Sequence, residues 1–158
     1  MYLKSLLFLL LSPFFITNQS VITLSEMERS ISIDSKEFEK MVQPKGFKLS
    51  ASFKDPIRED RDISFYDKGE TAKEYASIKK SSHNGRVVSI EYSSYDQKEH
   101  ENLIKQALSS GYRRISDVTP TYEQGQLIVS PSSFVDFQGN KTYITVVSDQ
   151  LISTKIGL

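Results

Sequence analysis

The chain has 158 residues, with 20 basic and 20 acidic side chains, nine Phe, eight Tyr, no Trp and no Cys. The balanced charge gives no broad field for nucleic acid or anionic lipid, and the absent thiol excludes disulfides, thiol catalysis and thiolate metal sites. The length suits one domain with a single hydrophobic core.

The N-terminal stretch "MYLKSLLFLLLSPFFITNQS" has one lysine, an apolar run from Leu6 to Ile16, then small polar residues. This is the pattern of a secretory signal peptide, with cleavage expected near Ser20. The run falls short of the roughly 20 apolar residues a membrane-spanning helix needs, and Pro13 interrupts it. Without the leader, 19 basic residues face 20 acidic ones, because Lys4 alone is lost. The expectation is therefore an exported protein, periplasmic or secreted, with no transmembrane span once the signal is removed. Residues 21–158 then form a single domain.

Ser25 with Glu28 is a possible capping box for a short first helix before Ile31. Next come two similar stretches, "DSKEFEKMVQPKGF" from Asp34 and "DQKEHENLIKQALSSGY" from Asp96. Asp34 and Asp96 fit helix N-caps, and Glu37 and Glu99 stand where a carboxylate reaches back to the cap. Phe38, Met41 and Val42 make one apolar stripe; Leu103, Ile104, Ala107 and Leu108 make the other. His100 takes the place of Phe38 and is expected to pack as a ring. The second histidine, His83, shares no metal-ligand spacing with it. Pro44 stops the first helix early, and Gly46 and Gly111 fit the positive-φ position after each helix.

Strands follow. In the first unit Phe47, Leu49, Ala51 and Phe53 alternate with Lys48, Ser50 and Ser52. Ile63 and Phe65 alternate with Ser64 and Tyr66, and Ala76 and Ile78 with Tyr75, Ser77 and Lys79. Asn84-Gly85 signals a tight hairpin, beyond which Val88, Ile90 and Tyr92 alternate with Val87, Ser89 and Glu91. The intervening loop "KDPIREDRD" lacks the glycine and late glutamate of a calcium loop. In the second unit "GYRRISDVTP", "GQLIVS", "SFVDF" and "KTYITVVSD" read as four strands, with Ile144 and Val146 inward and Tyr143, Thr145 and Val147 outward.

The expected fold is α+β: a tandem repeat of one helix plus four strands, about 21–95 and 96–150, forming an antiparallel sheet with its helices on one face. A short tail, "QLISTKIGL", is expected to cover an apolar patch of the second unit or leave it as a contact surface. The leader, the "LSEMERSISID" entry, "KGF" after the first helix and the second helix ending in "GY" resemble small exported bacterial proteins of unknown function. The tandem plan is also similar to the beta-lactamase inhibitor protein fold, in architecture only. That resemblance implies a concave sheet that grips another protein, and it carries over no functional residue.

No nucleophile elbow, zinc helix, phosphate loop or triad order is present. The expectation is a non-enzymatic binding module with no cofactor and no metal, contacting a protein partner through the open sheet face. Tyr66, Tyr75, Lys79, Val87 and Tyr143 are its candidate contact residues, because tyrosine offers large contact area at low entropic cost. The alternatives are a self-associating envelope protein and a carboxylate-based hydrolase.

Overall fold

The computed structural model describes residues 22–71 and 74–150. The leader and the tail beyond Gln150 lie outside the described residues. Three helices, α1 (Leu24–Ser30), α2 (Ser35–Val42) and α3 (Gln97–Ser109), pack on one face of a single antiparallel sheet. The strands are β1 (Lys48–Lys54), β2 (Arg61–Lys68), β3 (Ala76–His83), β4 (Arg86–Ser94), β5 (Arg113–Ser116), β6 (Thr121–Gln124), β7 (Leu127–Val135) and β8 (Lys141–Asp149). Their order across the sheet is β1-β2-β3-β4-β8-β7-β6-β5. The fold is therefore α+β, with helix and four strands occurring twice along the chain and running inward to a central β4–β8 seam.

The helix ends follow from local chemistry. Asp34 accepts hydrogen bonds from the backbone N–H groups of Lys36 (2.8 Å) and Glu37 (2.9 Å), and Asp96 accepts one from Lys98 (2.8 Å). The first helix is capped differently from expectation. Thr23 and Glu26, not Ser25 and Glu28, form its capping box. Glu99 does not close a second box either. It turns under α3 to accept from the Tyr92 hydroxyl (2.5 Å) and Ser94 Oγ (2.9 Å). α2 passes into a 3-10 turn at Gln43–Lys45 and stops at Gly46 (φ 91°), and Gly111 (φ 93°) follows α3.

The core lies between the helices and the sheet face bearing Tyr66, Ile78, Ile90, Tyr92, Val129 and Val147. Phe38 of α2 meets the edge of Tyr66, with ring centroids 5.0 Å apart. On α3, His100 stacks on Tyr92 at 5.3 Å.

The second half departs from the expected strands. "GQLIVS" and "SFVDF" are one strand, β7, running through Pro131, and the four-residue β6 was not anticipated. Proline is tolerated there because β6 pairs with β7 only over Leu127–Val129, so the strand beyond has a neighbour only in β8. In β8 the inward face is also the reverse of expectation. Tyr143, Thr145 and Val147 pair with Ser94, Tyr92 and Ile90 and share their helix-facing side, whereas Ile144 and Val146 face away.

Candidate functional site

The face without helices is concave. Ala51 of β1 and Phe134 of β7 line one cavity of about 600 Å³. Five strand-to-strand steps separate them in the sheet. In a flat sheet those steps would hold them roughly 24 Å apart. The sheet therefore curls around this face. Register shifts between Leu49 and Ala51 and between Ser81 and Ser82 mark bulges in the strand pairs, which bend and twist a sheet locally.

The groove floor is small and polar, with Ser77, Ser93 and Thr142. Its walls are apolar and aromatic: Phe65, Tyr75, Tyr95, Phe134 and Ile144. Three carboxylates, Asp67, Glu91 and Asp136, also line it. Glu91 pairs with Lys79 at 3.4 Å. Asp67 accepts from the Tyr75 hydroxyl at 3.4 Å, and the rings of Tyr75 and Tyr95 lie 6.0 Å apart. Burial, then the charge of Asp67, push the Tyr75 hydroxyl above its ordinary pKa. Asp136 organises the β7–β8 turn. It accepts from the backbone N–H of Gln138 (2.9 Å) and Asn140 (2.8 Å) and from Asn140 Nδ2 (3.0 Å). Led by the Asn140 side-chain bond, these hold its carboxyl below the usual range.

The five expected contact residues divide. Tyr75 and Lys79 lie on the concave side. Tyr66 does not: it is 2% exposed beneath α2, where its hydroxyl donates to Glu39 (3.3 Å). Burial, then Glu39, push that hydroxyl up to about 12. Val87 does not either. The bulge opposite Ser81 and Ser82 pairs Val87 with Ser82 on the helix side, and it is 1% exposed. Tyr143 lies against His100 at 5.9 Å, and its hydroxyl donates to Gln97 (2.7 Å). It borders a different cavity, of about 800 Å³, between the start of α3 and the β7–β8 turn. Tyr95 lines both cavities.

Phe65, Asp67, Glu91, Tyr95 and Phe134 were missing from the expected set. Phe65 alternates with Tyr66 and lies on the face expected of Tyr66, and Phe134 belongs to the long β7 rather than to a strand of its own. The signal for both was the ladder register, which depends on the partner strands rather than on their own neighbours.

Two buried polar clusters bear on chemistry. Lys80, on the helix side of β3, donates to Ser35 Oγ at 2.7 Å and lies over the rings of Phe38 (5.3 Å) and Tyr66 (5.7 Å). Burial lowers its pKa, while Glu39, Asp62 and Asp34 oppose that shift. Two aromatic faces and three carboxylates favour an ammonium, so Ser35 is an acceptor for a cation rather than a nucleophile beside a free base. Beneath α3, His100 contacts Ser94 Oγ (3.2 Å) and Thr145 Oγ1 (2.9 Å). Ser94 is itself buried and hydrogen-bonds to Glu99, which leaves it no exposed oxygen to present to a substrate. Among the described residues, no three His, Asp or Glu side chains gather as a metal site, and no helix is long and apolar enough to cross a membrane.

Comparisons with protein-family models, with curated proteins and with solved structures find no match to this chain.

Proposed function

We propose that the chain is an exported, non-enzymatic binding module, built from two duplicated helix-plus-four-strand halves, that grips a protein partner in the concave face of its sheet. The observation that carries this reading is the curl of the sheet: strands from β1 to β7 contribute walls to one groove. On that face Phe53, Tyr75 and Phe134 remain 47%, 38% and 52% exposed. Aromatic side chains left exposed on a concave surface rimmed by polar groups mark an interaction site more often than a solvated one. The buried polar clusters satisfy themselves, which supports a structural role for them over catalysis.

The test uses the chain from Val21 onward as bait for exported and envelope proteins of its source. The captured protein is then purified and its contact surface mapped by hydrogen exchange. Protection is expected along β2, β3 and β8 on the concave side. Tyr75→Ser with Phe134→Ser should abolish capture while the chain melts as before. A partner held equally well by that double variant, or protecting only the helices, would overturn the proposal.

A further inference from the structure

We infer that the segment this groove accepts is basic, a stretch of the partner chain presenting a lysine or arginine among apolar residues. The inference rests on the groove reading above and adds the chemistry of the occupant.

Asp67, Glu91 and Asp136 are the charged residues that line the groove, and all three are acidic. Lys79 offsets Glu91 through their 3.4 Å pair. Lys48 neighbours Asp67 across the β1–β2 ladder at the rim. Asp67 and Asp136 stand at opposite sides of the groove, one on β2 and one after β7. Asp136 is kept ionised by the turn it organises.

Filling the groove with a purely apolar segment would strip water from these carboxylates without replacing it, and an acidic segment would add repulsion. A lysine or arginine supplies the missing charge. Its head meets Asp67, where the Tyr75 ring stands beside the carboxylate and Tyr95 is 6.0 Å from Tyr75, so ion pairing and ring attraction act together. Its methylene stem lies along Phe65 and Ile144.

The experiment selects random phage-displayed peptides on the immobilised chain from Val21 onward, then measures synthetic copies of the enriched peptides by fluorescence anisotropy. Lysine or arginine between apolar residues should be enriched. Asp67→Asn should weaken these peptides about tenfold. Lys79→Gln, which releases Glu91 from its internal partner, should strengthen them. A role confined to folding would not produce opposite signs in two variants of equal stability. Acidic or uncharged winners that still lose binding in Phe134→Ser would overturn the basic occupant and leave the groove reading standing. Winners indifferent to Phe134→Ser, or no enrichment at all, would overturn both.

Discussion

His100 on α3 and Thr145 on β8 meet across the helix–sheet interface, Nδ1 to Oγ1 at 2.9 Å. Ser94 has one hydroxyl proton and gives it to Glu99, so its oxygen accepts from His100 Nε2–H and leaves Nδ1 to accept from Thr145. Burial lowers the His100 pKa from 6.5 to about 4, against the opposing charge of Asp96. The unfolded chain binds this proton first as pH falls. The stability tied to neutral His100 is therefore complete above 6.5 and is lost between 6.5 and about 4, in total roughly 3 kcal/mol. Urea unfolding across that window should show the loss, and His100→Leu should remove the slope there. An unchanged slope in the variant would assign the acid sensitivity to other groups.

Tyr66 and Tyr75 should respond very differently to the same change. Tyr66→Ser empties a buried site against Phe38 and should cost roughly 3 kcal/mol. Tyr75→Ser removes a partly exposed ring and should stay within about 0.5 kcal/mol. Thermal melts of the two variants decide this, and equal losses would contradict the placement of Tyr66 under the helices and Tyr75 on the concave face.

Lys80 separates charge from packing. Lys80→Met keeps the stem against Phe38 and Tyr66 and removes a desolvated ammonium, so stability should hold within about 1 kcal/mol or rise. Lys80→Ala loses the stem as well and should cost about 2 kcal/mol. If the methionine variant fell as far as the alanine one, the ammonium itself would be the stabilising element.

Gly69 and Gly85 both have positive φ, at 84° and 76°. A Cβ on Gly69 would overlap the Glu74 carbonyl, whereas one on Gly85 would meet open space. Gly85→Ala should cost only its backbone strain, about 1 kcal/mol. Gly69→Ala should cost more and also displace Tyr75, weakening whatever the groove binds. Chemical unfolding of both, with peptide binding for Gly69→Ala, would check the ranking. The reverse order would mean that the segment around Glu74 gives way freely.

Much of this fold is legible in the sequence because it is written locally. Asp34, Asp96, Gly46 and Gly111 each act on backbone groups within a few residues, and Asn84-Gly85 sets its own turn. The sidedness of β3 is legible because Ala76 and Ile78 alternate with polar neighbours. That of β8 is not, because Tyr143 to Val147 offers apolar or ambivalent residues on both sides, and a period of two has no preferred phase without contrast. Val87 changed sides at a bulge, and nothing within "RVVSIE" reports which residue the partner strand skips. The candidate site suffered most. Its residues come from six strands, and the curl that gathers them belongs to the whole sheet.

The strand order also dictates how the molecule assembles. Every other adjacent strand pair joins consecutive strands, but β4 meets β8 only after α3 and the entire second half have been made. Closing that contact spans the longest stretch of chain in the sheet, and such closures set the pace of folding. The first meander, β1 to β4, is thus expected to form early and wait with β4 as a bare edge. Thr145→Ser, at the seam, should then slow refolding and leave the unfolding rate nearly unchanged. Faster unfolding at an unchanged refolding rate would instead mean that the seam closes after the rate-limiting step.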